Sequence, residues 1–430
     1  MEKLLQYVWK HRLFPLKPLT TTDGQPVEVI DSGLLNHNSG PDFFNAKIKI
    51  GDCMWAGNVE IHDRSKDWYR HGHDTDKAYN NVILHVAETI DDEVIDFNGR
   101  VIPQLQLSVP EKVKNGYDSL INEDRYPPCY KIIPELEAIK VKSWLSALQT
   151  ERLEEKTEAI AKRVEKCNGS WEEAFFRTLA RNFGFGINGD AFESWANNLH
   201  IGYVAHHRDD IFQIEAFFMG QAGLLSPDAI NKRYREQAIN DDYYLRLRDE
   251  YDFLSYKFNL YSMAPEQWRF LRLRPHNFPH IRISQLAKLY HNGTANLSQI
   301  LECNSVKALH KALDTSVTEY WQTHYLFGAE SRKSYKILSS TSKDIIIINT
   351  VVPMLFAYGR TYSKESLCDK AFSLLEEIAA EKNSIVETWK QCGLNATTAT
   401  ESQALIQLKN KYCDRKDCLR CRFGFEYLKK

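Results

Sequence analysis

One stretch constrains the fold of this 430-residue chain more than any other: NHNSGPDFFNAKIKIGDCMWAGNVEIHDRSKDWYRHGHDTDKAYNNVILHVAE, residues 36 to 88. DFFNAKIKI, 42 to 50, alternates with period two at Ala46, Ile48 and Ile50 and reads as a strand, and Gly51-Asp52 then marks a turn. CMWAGNVEIH, 53 to 62, reads as the returning strand. NNVILHVAET, 80 to 89, has the nearly continuous apolar centre of a strand buried on both faces. Between the last two runs a polar insert predicts a short helix at about 66 to 80. Carboxylates and imidazoles crowd this stretch as nowhere else: Asp42, Glu60, His62, His71, His73, Asp74, Asp76 and His85.

The flanking sequence extends the pattern. Residues 1 to 14 read as an amphipathic helix with Leu4, Leu5, Val8 and Trp9 on one face. PVEVID, 26 to 31, and VIPQLQLSV, 101 to 109, read as further strands. Residues 1–112 are therefore expected to form an α/β domain, and 113–134, stiffened by Pro127-Pro128, a connector. From Glu135 the pattern is helical: a long solvent-washed helix, then a capping box at Ser170-Trp-Glu-Glu173. Helices are expected at about 188–199, 209–225, 241–259, 264–272, 283–291, 307–328, 345–358, 364–391 and 398–412. The expected class is α+β: an α/β core, then a larger all-α domain at 135–360 and C-terminal helices at 361–430.

Composition removes several function classes. A net charge of −2 exerts no global pull on nucleic acid or anionic membrane, so a polyanion site must be a local basic patch. The longest apolar run, IIIINTVVPMLFAYG at 345–359, is too short for a bilayer, which needs about 20 apolar residues, and reads as a buried helix. MEKLLQYVWKHRLF lacks the apolar core of a secretory signal. The expectation is a cytoplasmic protein without membrane partners, its nine cysteines thiols or metal ligands.

On a strand, residues two apart share a face, so Glu60 and His62 project together with Ile61 behind them. Antiparallel pairing of 42–50 with 53–62 brings Asp42 near Glu60 or His62. Two carboxylates and an imidazole make an oxygen-rich site suited to Mg²⁺ or Mn²⁺, with Asp42 and Glu60 as ligands and His62 holding or deprotonating water. His71 and His73 are candidates for a general acid or a transition-metal site, and His85 for a hydrogen-bonded core histidine. The plainer alternative makes Pro41-Asp42 a turn and Glu60 and His62 the solvent face of a hairpin.

Pro41-Asp42 and Glu60-Ile61-His62 resemble, in order, spacing and strand context, the PD-(D/E)XK nuclease superfamily. The resemblance implies a restriction-endonuclease-like core, Asp42 and Glu60 as metal ligands, an extra acid from Glu2 or Glu28, and His62 in the place of the family's lysine. NSGPDF…GNVEIH, IEAFFMGQAGLL, RLRPHNFP and CLRC together resemble an uncharacterised bacterial family known only as a domain of unknown function.

Two further motifs carry chemistry. Cys413, Cys418 and Cys421, spaced C-x4-C-x2-C with Cys392 as a candidate fourth ligand, suit Zn²⁺ or an iron–sulfur cluster; the alternative is free thiols near a C-terminal turn. Arg269, Arg272, Arg274 and Arg282, interleaved with Trp268, Phe270 and Phe278, suit a nucleic-acid backbone and its bases; the alternative is a proline-broken loop with local ion pairs. Gly220-Gln-Ala-Gly223 follows no strand and reads as close helix packing. The expected function is a metal-dependent nuclease or nuclease-like protein acting on DNA or RNA, with a catalytically inactive nucleic-acid- or protein-binding scaffold as the alternative.

Overall fold

A computed structural model describes residues 2–14, 17–36, 38–199 and 201–430; His37 of the constraining stretch lies outside them. The chain divides into two compact units. The first comprises Met1–Trp144, Glu387–Asn395 and Ile406–Lys430, and the second Leu145–Val386 and Ala396–Leu405. The C-terminal segment expected as a separate piece, 361–430, is thus shared between the two.

The first unit opens with α1 (Glu2–Lys10), which buries Leu4, Leu5, Val8 and Trp9 at helical spacing. Its strands are β1 (Leu19–Thr20), β2 (Pro26–Asp31), β3 (Leu34–Leu35), β4 (Phe43–Ile50), β5 (Cys53–Arg64), β6 (Val82–Thr89) and β7 (Gln104–Gln106). They form one sheet in the order β1-β2-β4-β5-β6-β7, with β3 beside β4. Pairing is antiparallel as far as β5 and parallel from β5 to β6 and β7.

The β4–β5 ladder runs Phe43↔Val59 then Ala46↔Gly57, so β4 carries one extra residue there. Asn45 takes a left-handed φ of 57° in this bulge, which bends the strand just after Asp42. Gly57 is required by the next pairing: a Cβ there would lie 2.4 Å from Ile83 Cγ2 and 2.7 Å from the Asn81 carbonyl oxygen. The β5-to-β6 crossover holds α2 (Asp67–Arg70) and a single helical turn, Lys77–Tyr79. Fully buried Trp68 anchors it, packed with Tyr79, Val82, Val94 and Ile102 and donating from Nε1 to the Ile95 carbonyl at 2.9 Å. The expected connector contains α3 (Glu111–Asn122), against which the C-terminal helix Arg422–Lys429 packs.

The second unit is mainly helical around a core that includes Phe183, Phe192, Trp195, Phe217 and Phe218. Ser170 caps its helix by accepting from the Glu173 amide at 3.2 Å. Three expected helices differ. Over 264–272 only the turn Pro265–Gln267 is helical, and Arg272 has a left-handed φ of 63°. Over 307–328 the helix stops at Ala312, and a hairpin of His324–Leu326 with Ala329–Glu330 follows; its β-branched and aromatic run and the left-handed Gly328 favour extended chain. The helix expected over 364–391 breaks after Glu377 because Ala379 bridges Thr398. Pro353 lacks an amide hydrogen for the Asn349 carbonyl four residues back, and the chain widens into a π-turn at Ile347–Val351. Asn182 Nδ2 satisfies that carbonyl instead, at 3.0 Å. Among the described residues, no helix is long and apolar enough to cross a membrane.

Candidate metal centre

The expected convergence on the sheet is present. The backbone N–H of Asp42 donates to Glu60 Oε2 at 2.9 Å, and the Ile61 N–H donates to Asp42 Oδ2 at 3.1 Å. This reciprocal clasp ties the start of β4 to the end of β5. Glu60 and His62 share a face, with Glu60 Oε1 3.5 Å from His62 Nε2, while Ile61 is fully buried behind them.

The parallel register Glu60↔His85 and His85↔Gln104 carries the polar row across two more strands. His62 Nδ1 lies 2.9 Å from His85 Nε2, and His85 Nδ1 lies 3.4 Å from Gln104 Nε2. The crossover supplies the other two imidazoles. His71 follows α2 directly and sets Nδ1 3.2 Å from His62 Nε2. His73 sets Nε2 3.3 Å from Glu60 Oε1 and stacks on Tyr79 with ring centres 3.8 Å apart.

Glu60, His62, His73 and His85 are all buried, whereas His71 is exposed and marks the solvent side. Burial and the charge of Glu60 push the Asp42 carboxyl up to about 7, and burial pushes Glu60 up to about 8. Burial, reinforced by the neighbouring imidazoles, holds His62 far down at about 2; burial likewise lowers His85 to about 3 and depresses His73. His62, His73 and His85 are therefore neutral lone-pair donors, and the carboxyls hold protons that a cation could displace.

The donor atoms fit an ion. One ligand atom each from His62, His71 and His73 lies within 4.8 Å of the others. The His62–His71 separation of 3.2 Å is close to the edge of about 3.4 Å expected of a tetrahedron with metal–ligand bonds near 2.1 Å. Glu60 Oε1, 3.5 Å from His62 Nε2 and 3.3 Å from His73 Nε2, lies beside this trio and outside it. Three imidazole nitrogens suit Zn²⁺ or Fe²⁺ better than Mg²⁺, which prefers oxygen. Asp42 lies beside this set and not within it, since its Oδ2 is engaged by Ile61 and its carboxyl also takes a hydrogen bond from Gln6.

Glu2, on the same face of α1 as Gln6, contributes negative charge to Asp42 and Glu60; Glu28 is exposed on β2. Gln6, Tyr79 and Gln104 were not singled out by sequence. Only Gln6 carried a signal, its i,i+4 spacing from Glu2.

The arginine run lies in the second unit. Arg269, Arg272 and Arg274 are exposed. Arg282 is buried, bonded to Gln285 Oε1 at 2.8 Å and Asn277 Oδ1 at 2.6 Å, with its guanidinium 4.3 Å from the centre of the Phe185 ring. It is committed to the core and is corrected from a nucleic-acid contact to a packing residue.

The chain belongs to a family described as protein of unknown function (DUF2851), whose model matches residues 2–384. No curated protein and no solved structure matches the chain.

Proposed function

Since the description of its family assigns no activity, we propose a function from the site's own geometry: a metal-dependent phosphodiester hydrolase of nuclease type. The observation that carries this reading is the imidazole trio His62, His71 and His73, one ligand atom from each lying within 4.8 Å of the others, with the Glu60 carboxyl beside it. When bound, such a cation lowers the pKa of water and offsets charge on a phosphoryl oxygen. Asp42, with a carboxyl near 7, can take or give a proton at neutral pH beside that ion. His85 and Gln104 hold the ring of His62 from behind.

Two features favour a phosphodiester. The helix, three antiparallel strands, short helix and parallel strand of α1, β2, β4, β5, α2 and β6 follow the element order of the PD-(D/E)XK core, with Asp42 and Glu60 at the matching positions. A cleft of about 470 Å³ lined by Lys3, Lys10, Arg415, Lys416 and Arg420 also includes Gln6 and Asn36. Gln6 bonds the Asp42 carboxyl, and the Asn36 N–H donates to the Asp42 carbonyl at 2.7 Å, so the cationic cleft adjoins the acidic site. Cations beside a metal centre suit a phosphate backbone.

The test is cleavage of single- and double-stranded DNA and RNA by full-length protein loaded with Mn²⁺, Zn²⁺, Fe²⁺ or Mg²⁺. Turnover that Glu60→Gln and His73→Ala abolish supports the proposal. Protein that carries metal at this site yet cleaves no substrate overturns it, and retained binding would then favour the inactive scaffold.

A further inference from the structure

Four cysteines of the first unit converge away from the imidazole centre, and they are not the four that sequence proximity suggests. Cys129, in the turn after Pro127-Pro128, has the Cys421, Cys413 and Cys418 thiols as its electrostatic neighbours. Cys413 in turn faces Cys421 and Cys418, and Cys421 faces Cys418. Cys392 is placed otherwise, with Arg125 as its charged neighbour. We propose that Cys129, Cys413, Cys418 and Cys421 hold a thiolate-ligated metal centre, with Cys129 and not Cys392 as the fourth ligand.

The local structure supports this assignment. Cys413 ends a widened helical turn, Lys409–Cys413, and Cys418 begins the short turn Cys418–Arg420. Cys421 is the N-cap of the C-terminal helix, and its sulfur accepts from the backbone N–H groups of Phe423 and Gly424. Free helix-terminal N–H groups stabilise a thiolate. Cys129, Cys418 and Cys421 are buried, too deep to serve as exposed reactive thiols.

Two buried donors lie around the sulfurs. Trp144 Nε1 is directed at Cys421, and the Tyr126 hydroxyl, whose near partner is Trp389, borders Cys413 and Cys129; neither makes a hydrogen bond of good geometry. A metal-bound thiolate at Cys421 would be a stronger acceptor for the Trp144 N–H than a neutral thiol. As neutral thiols the four are poor acceptors; as ligands they would tie the loop at 129 to the C-terminal segment across nearly 300 residues of sequence.

Two metal chemistries use four thiolates, a single Zn²⁺ and an iron–sulfur cluster. A single ion needs sulfurs about 3.8 Å apart, the tetrahedral edge for bonds of about 2.3 Å. Among the described residues, the group gathered within 4.8 Å is the imidazole trio and not the thiols, so the thiols are not preset at the spacing of a single ion.

The experiment is metal and sulfide analysis of full-length protein purified without oxygen, in a Glu60→Gln, His73→Ala background that empties the imidazole centre. The proposal expects one zinc per chain, or iron with matching acid-labile sulfide and visible charge-transfer absorption; the two results separate the chemistries. Cys129→Ser should remove most of that metal, and Cys392→Ser should retain it. Protein that folds by circular dichroism but carries neither metal, even after reconstitution with Zn²⁺ or with iron and sulfide, overturns the proposal. Loss with Cys392→Ser and retention with Cys129→Ser overturns the ligand assignment. Because the first measurement needs no cysteine variant, a misfolded Cys129→Ser protein leaves it decisive.

Discussion

His62 Nδ1 and His85 Nε2 lie 2.9 Å apart, so one of these two buried imidazoles must donate to the other. With Gln104 Nε2 turned towards His85 Nδ1, the proton order runs from Gln104 to His85 to His62 and leaves a hydrogen on His62 Nε2, aimed at Glu60. Metal binding through His62 Nε2 needs the reverse order, in which the Gln104 carboxamide presents oxygen and His85 accepts from His62. Replacing Gln104 by Glu fixes an acceptor there, whereas Gln104→Ala removes the support. Gln104→Ala should weaken metal binding by about 10–100-fold, and Gln104→Glu should retain or tighten it. Competition against a chelator of known affinity reads both.

Glu60 and Asp42 give the centre a pH dependence of defined sign. Both carboxyls are raised in the folded protein, to about 8 and about 7, so each is favoured in its protonated form. Their contribution to metal-free stability is full below the ordinary carboxyl range and is lost as pH rises through about 7 to 8. A cation replaces those protons, so metal affinity should climb over the same interval and level off above it. Thermal melts of metal-free protein should fall over this range and rise when metal is added. In Glu60→Gln the metal-free decline should shrink. A metal-free melting temperature that rises with pH there would show that burial of these carboxyls is not the controlling term.

The pairing of Asp42 with Glu60 and His62 was legible in the sequence because it follows from local rules: one hairpin and period two along a strand. The places of His71 and His73 were not, because they depend on the β5-to-β6 crossover anchored by Trp68, which no short window reports. His85 looked like an ordinary core histidine, and it is fully buried; its bond to His62 arises from parallel pairing between strands. Cys129 was missed for the same reason, since its thiol partners lie nearly 300 residues away. The helix expected over 307–328 failed where β-branched residues and Gly328 outweighed apolar spacing.

Gly220 makes the second unit's helix contact testable. A Cβ on it would fall 2.1 Å from the ring of Tyr251, whose hydroxyl accepts from Gln221 Nε2 at 2.7 Å. The reading of Gly220-Gln-Ala-Gly223 as close packing therefore has a specific contact behind it. Gly220→Ala should cost about 1–3 kcal/mol through overpacking. Gly202→Ala, in a short helix with no atom within 4 Å of the added carbon, should be neutral or stabilising by up to about 1 kcal/mol. Urea denaturation of both variants measures the contrast, and equal effects would remove the ring contact as the cause.

The cationic cleft beside Asp42 predicts how a nucleic acid would bind. Lys10, Arg415 and Arg420 line it, and Arg420 is shared with Asp417 at 3.3 Å, which leaves Lys10 and Arg415 as the better tests. Each phosphate contact releases a counterion, so binding should weaken steeply with salt. Lys10→Ala and Arg415→Ala should each lower affinity for all sequences alike and reduce the slope of log affinity against log salt by about 1. Arg274→Ala, an exposed arginine of the second unit, should leave the slope unchanged if the cleft is the binding surface. Fluorescence anisotropy with labelled single- and double-stranded oligonucleotides at several salt concentrations distinguishes these cases. A slope that falls for Arg274→Ala and not for Lys10→Ala or Arg415→Ala would move the contact surface to the arginine run.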